Sequence, residues 1–255
     1  MGLRNYLLMI SGFADTLYTG SGTGFLVRYN GQFYLVSNFH VFTGLYPLDN
    51  TPVEKGKPGN TDIVVVFLPK EKRNLIYHPM KFKLYGDNGI KNYNVVGIDS
   101  VRKMDLAIMP IAVPEEVQLY YFDEKYIDGE KNYRDGLELL ICGFSDGKFV
   151  DETKPAIIEA KSVNANYNGE NVFDWFVHYD KPTRPGTSGS PILYKTSSGK
   201  FKVIGVNATA TGPKKDNDNH NIEGSGVLMH YVMELIKNVD KYQKPTIQGV
   251  FVKGL

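Results

Sequence analysis

Short runs of β-branched and aromatic residues, each ended by turn residues, recur along the whole chain. In the first half they lie at 24–29, 32–37, 62–68, 93–99 and 106–111, and in the second half at 138–143, 156–162, 174–179, 191–194 and 201–207. Between the first two runs, Asn30 and Gly31 favour the positive φ angles of a tight two-residue hairpin turn. Short strands with such turn signals are typical of antiparallel β structure, so the chain is predicted to be all-β.

Residues 113–136 interrupt this pattern, because they are charged, tyrosine-rich and poorly periodic. They are predicted to connect an N-terminal β domain at 1–112 with a C-terminal β domain at 137–228. A helix and tail are expected at 229–255. The helix is predicted because five apolar residues share one face at helical spacing: Met229, Val232, Met233, Ile236 and Val239.

The composition argues against several classes of function. With 29 Lys and Arg residues against 28 Asp and Glu, the net charge of +1 provides no broad positive field for nucleic acid. The apolar run at 6–10 is too short to span a membrane or to form the core of a secretory signal, so no membrane contact is expected. Cys142 is the single cysteine, which excludes an internal disulfide. A cytoplasmic location is expected, and a disulfide-free secreted form stays open.

No cofactor and no metal site are predicted. The stretch GSGTG at 20–24 is rich in glycine like a phosphate-binding loop, but no Lys-Ser or Lys-Thr pair follows it, and the next segment has the pattern of a strand. A single cysteine also excludes a cysteine-based metal cluster. Nucleotide chemistry is therefore not expected.

The motif GTSGSP at 186–191 places Ser188 between glycines, directly after a loop that contains proline. Gly186 leaves its backbone N–H free to face an oxyanion, and Ser188 offers both its N–H and its Oγ. A serine hydroxyl is a weak nucleophile until a base activates it, so a catalytic role requires a histidine and a carboxylate elsewhere in the chain. The alternative is an ordinary Gly/Ser/Pro turn.

His40 and Asp105 are the candidates for those two roles. His40 follows the hydrophobic run 33–36, and the end of a strand can hold an imidazole rigidly; the alternative is a histidine of the core. Asp105 stands immediately before the apolar run 106–111. An ionised carboxylate there needs a partner, and an imidazole N–H would satisfy it and set the tautomer of the ring. The alternative is a solvent-facing turn aspartate.

The order His40, Asp105, Ser188 resembles that of the trypsin-like, or chymotrypsin-fold, serine peptidases over nearly the whole chain. Four further stretches match that family: GTGFLV at 22–27, DLAI at 105–108, GF at 143–144 and VIGV at 203–206. Within the family, GTSGSP and the upstream pair YD at 179–180 are most similar to the bacterial glutamyl endopeptidases.

The resemblance implies two six-stranded antiparallel β-barrels followed by a C-terminal α-helix. It implies that His40, held by Asp105, activates Ser188 for attack on a peptide carbonyl through an acyl-enzyme intermediate. The N–H groups of Gly186 and Ser188 would form the oxyanion hole. Asn38 takes the place of one of the two small residues that usually precede the histidine of the family, a change expected to leave the geometry intact.

Residues near the expected specificity pocket depart from both familiar charged patterns. Trypsin-type enzymes hold a basic side chain with an aspartate six residues before the serine, where this chain has Pro182. Glutamyl endopeptidases hold a carboxylate with a histidine after the Ile-Gly pair, where this chain has Asn207. The resemblance predicts a neutral pocket formed by Thr183, Asn207 and Thr209, with Ser225 and Gly226 on its far wall. A polar uncharged or small residue before the scissile bond is therefore predicted.

The expected partner is a protein or peptide substrate. An unrestrained protease would be harmful in the cytoplasm, so narrow specificity is expected, or activation by a protein partner, for instance in a bacterial defence or stress system. The alternative is a catalytically silent module of the same fold, which binds a partner without cleaving it.

Overall fold

The computed structural model describes residues 3–69, 77–97, 103–128, 136–144, 155–163, 176–208, 223–241 and 245–252. Most of the elements are strands, which form two sheets. The first sheet contains β1 Leu7–Ala14, β2 Leu17–Tyr29, β3 Gln32–Ser37, β4 Asp62–Pro69, β5 His78–Lys83, β6 Asn94–Gly97, β7 Lys103–Ala112, β8 Val117–Gln118, β9 Phe122–Asp123, β16 Ile247–Gln248 and β17 Val250–Phe251. The second sheet contains β10 Glu138–Phe144, β11 Pro155–Lys161, β12 Phe176–Tyr179, β13 Pro191–Lys195, β14 Phe201–Ala208 and β15 Gly224–Leu228. The α-helices in these ranges are α1 Phe39–Thr43 and α2 Met229–Lys241.

Strands of the first sheet follow the order β16-β7-β3-β2-β1-β4-β5-β17. The β2–β3 hairpin has the predicted tight turn, since the two residues between the strands, Asn30 and Gly31, have φ angles of 46° and 80°. β3 also pairs antiparallel with β7, with Ser37 opposite Ala107. This pairing brings the end of β3 beside the beginning of β7.

The segment 245–252, called the C-terminal strap below, returns from α2 to the first sheet. β16 runs parallel to β7, with Ile247 opposite Ile111, and β17 runs antiparallel to β5. Between these two short strands, a Cβ on Gly249 would lie only 2.7 Å from the ring of Phe82. The strap therefore packs closely against the first sheet and links its two end regions.

The second sheet has six antiparallel strands in the order β11-β10-β13-β14-β15-β12. An isolated bridge between Ser162, directly after β11, and Tyr179 at the end of β12 joins the two outer strands. The N–H of Val163 adds a hydrogen bond of 2.9 Å to the carbonyl of His178. These contacts close the sheet into the predicted second barrel.

One hydrophobic cluster is shared by both sheets and α2. It includes Phe25 and Leu106 from the first sheet and Cys142 and Val206 from the second. The apolar face predicted for the helix is buried in the same cluster: Met229, Val232, Met233, Ile236 and Val239. Two further clusters fill the interiors of the individual sheets. Because the first cluster is shared, the two barrels pack directly against each other.

The structure confirms an all-β class with two largely antiparallel barrels and a C-terminal helix. It differs from the expectation in several details. The first strand begins at Leu7 rather than at residue 24. The first sheet has eleven strands rather than six: seven longer strands, β1 to β7, and four two-residue strands, two of which lie in the C-terminal strap. His40 lies in α1 rather than at the end of a strand. The proposed domain limits at 112, 137 and 229 stay predictions.

Across the described ranges, no helix combines the length and the apolar character that a membrane span requires.

Candidate active site

Helix α1 places His40 directly after β3. Asn38 occupies the N-cap, and Gly44 ends the helix in the left-handed region at a φ of 68°, where its N–H donates to the His40 carbonyl over 2.8 Å. Asn60 supports the last turn, because its Nδ2 donates to the carbonyl of Phe42 over 2.9 Å. The histidine is therefore held on a short helix whose end is well hydrogen-bonded.

The carboxylate of Asp105 accepts hydrogen bonds from the ring and the backbone of His40. Nδ1 of the ring lies 2.7 Å from Oδ2 and 2.9 Å from Oδ1, and the backbone N–H of His40 donates to Oδ1 over 3.1 Å. The two side chains are 12% and 13% exposed. A carboxylate at this position favours the tautomer that carries the proton on Nδ1, which leaves Nε2 as a hydrogen-bond acceptor.

Asn38 holds the backbone of Asp105 in place. Its side chain is buried, and Nδ2 donates to the Asp105 carbonyl over 2.7 Å. A small residue at this position could not make this bond. The asparagine in front of the histidine helix is thus part of the support for the His40–Asp105 pair.

Two consecutive tight turns lead to Ser188 and away from it. In the first turn, Pro185 and Gly186 are the central residues, and the N–H of Thr187 donates to the carbonyl of Arg184 over 3.1 Å. Gly186 has a φ of 85°. Proline followed by a glycine with positive φ is the signature of a type II turn, so the Pro-Gly pair of the motif dictates this local shape.

The second turn has Ser188 and Gly189 at its centre. Gly189 has a φ of 84°, and the N–H of Ser190 donates to the carbonyl of Thr187 over 3.1 Å. The hydroxyl of Ser190 donates to the same carbonyl over 2.6 Å. The serine between the two glycines is therefore carried at the tip of a loop with a defined backbone.

This loop is hydrogen-bonded to the first barrel. The N–H of Thr23 donates to the carbonyl of Ser188 over 2.8 Å, and the hydroxyl of Ser37 donates to the carbonyl of Thr23 over 2.6 Å. A Cβ on Gly189 would overlap both the Thr23 carbonyl and the Ser37 hydroxyl, so only glycine permits this approach. Ser37 stands three residues before His40, and the Ser188 loop thus lies against the strand end from which α1 begins.

Two backbone donors of the loop are available to a ligand. Among the described residues, neither the N–H of Gly186 nor that of Ser188 has a hydrogen-bond acceptor. A pair of such donors beside a nucleophile is what an oxyanion hole requires. Within the same part of the chain, no hydrogen bond joins Ser188 Oγ to the His40 ring. In unliganded sites, catalytic hydrogen bonds are often long and tighten when substrate binds.

Asn207 makes its contacts inside the protein. Its side chain is buried, Nδ2 donates to the carbonyl of Thr187 over 2.8 Å, and Oδ1 accepts a hydrogen bond from the hydroxyl of Tyr179. Burial raises the pKa of the Tyr179 phenol, so the hydroxyl keeps its proton and remains a donor. Asn207 is thus positioned to support the Ser188 loop.

The other predicted substrate contacts lie in different surroundings. Thr183 is half-buried in the segment that precedes Ser188. Gly226 is opposite Asn207 in the β14–β15 pair, where a Cβ would lie 2.5 Å from the carbonyl of Val206. Thr209 lies outside the described residues. The roles of all four in substrate preference stay predictions.

A family model described as the trypsin-like peptidase domain matches residues 22–206, well over half of the chain. This protein belongs to the trypsin-like peptidase family. The matched span contains His40 on α1, Asp105 on β7 and the loop that carries Ser188. The resemblance stated from sequence is confirmed for the family, and the trypsin-like peptidase is a serine protease, a hydrolase of peptide bonds.

Several solved structures share the fold of this trypsin-like peptidase. Deg5 is similar with a TM-score of 0.57 and 17% identity, over 95% of this chain and 92% of that one. The serine endoprotease from Yersinia pestis has a TM-score of 0.53 and 13% identity, over 94% and 65% of the two chains. The HtrA-type protease AlgW with tripeptide has a TM-score of 0.51 and 15% identity, over 94% and 62%. The chain thus spans less than two thirds of these last two proteins. A search of the curated proteins finds no match.

Sequence reasoning missed two residues that hold the site of the trypsin-like peptidase together. Thr23 stands directly before the first predicted strand, in the GTGFLV stretch, and no contact with the Ser188 loop is predicted for it; Asn60 lies in a segment without any motif. A usable signal existed for Thr23, because glycine on both sides of a strand residue marks a place where another backbone approaches closely. Asn60 had no comparable signal.

Proposed function

We propose that this trypsin-like peptidase is an endopeptidase with His40, Asp105 and Ser188 as its catalytic residues. The observation that carries the proposal is the pair of hydrogen bonds, 2.7 and 2.9 Å long, between His40 Nδ1 and the Asp105 carboxylate. With Nδ1 held in this way, Nε2 would accept the Ser188 proton as Oγ attacks a peptide carbonyl. The protonated ring would then donate to the leaving amine, and water would hydrolyse the acyl-enzyme by the reverse roles.

The N–H groups of Gly186 and Ser188 would bind the oxyanion of the tetrahedral intermediate. The lack of an acceptor for either N–H among the described residues supports this role, because no internal hydrogen bond has to break before substrate binds. Each donor in such a site typically contributes about 3–4 kcal/mol to transition-state stabilisation. The developing charge would therefore be stabilised by backbone groups of the loop that carries the nucleophile.

The proposed preference is for a polar uncharged or small residue before the scissile bond. The candidate contacts, Thr183, Asn207, Thr209 and Gly226, include no charged side chain. Asn207 would act by supporting the loop, since its amide bonds Tyr179 within the protein. A cleavage profile on a peptide library tests this preference, and a dominant basic, acidic or large aromatic residue before the cut would overturn it.

The catalytic proposal is tested with Ser188→Ala and a fluorophosphonate probe. The wild-type protein should be labelled at Ser188, and the variant should lose nearly all labelling and peptide cleavage, because serine and histidine act as a unit. Ser197→Ala is the matched control, since Ser197 is exposed on the β13–β14 turn, and it should keep wild-type activity. An active wild-type preparation that is labelled elsewhere, or a Ser188→Ala variant with wild-type turnover, would contradict the assignment.

Narrow specificity or activation by a protein partner is part of the same proposal. A protein that reacts with the probe but leaves casein intact would fit such restraint, because the probe needs only the catalytic residues. Broad and constitutive cleavage of casein would count against it. A wild-type protein that is folded yet inert to both reagents would favour the alternative of a silent binding module.

A further inference from the structure

Thr23 links the two barrels by hydrogen bonds beside the Ser188 loop. It belongs to β2 in the first barrel and is fully buried. Its hydroxyl donates to the carbonyl of Gly186 over 2.9 Å and accepts from the N–H of Phe144 on β10, also over 2.9 Å. Its own N–H donates to the carbonyl of Ser188 over 2.8 Å. One residue of the first barrel therefore bonds two carbonyls of the loop that carries the nucleophile and one strand of the second barrel.

Three consecutive carbonyls of this loop accept hydrogen bonds from the two barrels in turn. Those of Gly186 and Ser188 accept hydrogen bonds from Thr23. The carbonyl between them, that of Thr187, accepts from Asn207 of the second barrel over 2.8 Å. Because a peptide group is planar and rigid, holding the Thr187 carbonyl also sets the direction of the Ser188 N–H in the same peptide. The backbone between Gly186 and Ser188 is thus held on both sides.

Gly186 is the weak point of this arrangement. Glycine has more backbone freedom than any other residue. Gly186 has a φ of 85°, and the direction of its carbonyl depends on the second backbone angle, ψ. The hydrogen bond from the Thr23 hydroxyl to the Gly186 carbonyl restrains the other angle. Without this bond, the loop could turn its peptide groups and lose the alignment of its two free N–H donors.

We propose that Thr23 is a positioning residue, which aligns the oxyanion donors and makes their alignment depend on the docking of the two barrels. This inference rests on the proposed function. Thr23 would not touch substrate; it would act through Gly186 and Ser188. A complete oxyanion hole then exists only when β2 of the first barrel lies against the loop of the second.

The test compares Thr23→Val, which keeps the shape and removes the hydroxyl, with Thr23→Ser, which keeps the hydroxyl. kcat is measured per active site, after exhaustive titration with a fluorophosphonate. Thr23→Val should lower kcat roughly 10- to 100-fold, less than the outright loss of an oxyanion donor, while KM changes less than about threefold. Thr23→Ser should stay within about threefold of wild type. Affinity for a peptide aldehyde, whose adduct places an oxygen in the oxyanion hole, should fall in parallel with kcat.

Thr61→Val is the matched control. The Thr61 hydroxyl also accepts a hydrogen bond from a backbone N–H, that of Asp15, over 2.9 Å, and it donates to the Asp62 carboxylate over 2.8 Å. Thr61→Val therefore removes one accepted and one donated hydrogen bond, as Thr23→Val does, but elsewhere in the first barrel. This variant should keep the wild-type kcat. If Thr23→Val does not fold, Thr23→Ala replaces it, since the smaller side chain cannot overpack the site.

Separate results overturn the two proposals. A wild-type protein that neither labels nor cleaves would remove the proposed function and with it this inference. An active wild type together with a Thr23→Val variant of unchanged kcat and unchanged aldehyde affinity would leave the function intact and overturn the positioning role. A lower melting temperature with unchanged kcat per site would show that Thr23 is merely structural, and would also overturn the role.

Discussion

His178 lies on β12 with its ring buried, close to the ring of Phe176. Burial disfavours the charged form and lowers the pKa of His178 from 6.5 to about 4. In the unfolded chain the same ring is protonated below about pH 6.5. Between these two pH values the unfolded state binds more protons than the folded state. The contribution of the neutral His178 ring to the free energy of unfolding is therefore fully present above pH 6.5 and is lost as the pH drops towards 4.

We expect the His178→Phe variant to lose much of this acid sensitivity, because its ring cannot be protonated. The pKa shift corresponds to roughly 3 kcal/mol of unfolding free energy between pH 6.5 and 4. Melting temperatures of both proteins across this range provide the measurement, and a comparison at pH 7 to 8 shows the effect of the substitution apart from protonation. Parallel curves for the two proteins would mean that other groups cause the acid sensitivity.

Helix α1 depends on one side chain outside it. Asn60 donates to the carbonyl of Phe42 over 2.9 Å and to that of Val41 over 3.4 Å, and it accepts a hydrogen bond from the Thr19 hydroxyl. All of these groups are buried. A five-residue helix has too few internal bonds to be stable alone, so its geometry, and with it the position of His40, relies on this asparagine.

Asn60→Ala should therefore lower the free energy of unfolding by about 1–3 kcal/mol, because it leaves buried carbonyls and a hydroxyl without their partner. Urea denaturation measures the loss. Asn88→Ala is the control, since Asn88 is an exposed turn residue, and it should change stability by less than about 0.5 kcal/mol. Equal stability of the two variants would show that other contacts hold α1.

The elements that the sequence predicted are those with strong local patterns. β3 was predicted with its observed bounds, and the amphipathic helix was predicted from residue 229 onward, because alternation and helical spacing both reflect burial on one face. Helix α1 was missed because five residues are too few to show a period. β15 was missed because its glycine-rich start, Gly224-Ser225-Gly226, has no strand propensity, and pairing with β14 and β12 makes it a strand.

The candidate site also contains residues that the sequence predicts and supporting residues that it does not. The order of His40, Asp105 and Ser188 and the glycines beside the serine were visible in the sequence, because the proposed chemistry requires particular residue types. The supports were not visible. Thr23 is 163 residues from Gly186, whose carbonyl it binds, and such a hydrogen bond leaves no trace in local sequence. Tertiary structure alone brings those partners together.

The two barrels share one hydrophobic cluster, and the single cysteine, Cys142, lies in it, so the reactivity of its thiol measures how often this cluster opens. Cys142 is 1% exposed in the cluster that joins both sheets to α2, and burial raises the pKa of its thiol to about 11. The thiolate, which is the reactive form, is therefore scarce and inaccessible in the folded protein. Reaction at Cys142 requires the core between the barrels to open.

An aromatic disulfide reagent should consequently label the native protein at least roughly 10³-fold more slowly than the urea-unfolded protein, because labelling must wait for opening. The rate should rise with urea in step with unfolding. Ser198→Cys, which adds a thiol on an exposed turn, is the control and should react at once with one equivalent of reagent. Native labelling as fast as that of the unfolded chain would contradict a tightly packed core.

The first barrel cannot be completed before the C-terminal strap has been synthesised, because the strap pairs with two of its strands. β7 and β5 leave the ribosome well before residues 245–252, which pair with both of them. Until translation has passed those residues, backbone groups of both strands lack these partners and offer a template to neighbouring nascent chains. Until residues 245–252 have been synthesised, the barrel that carries His40 therefore lacks the pairing that covers β5 and β7.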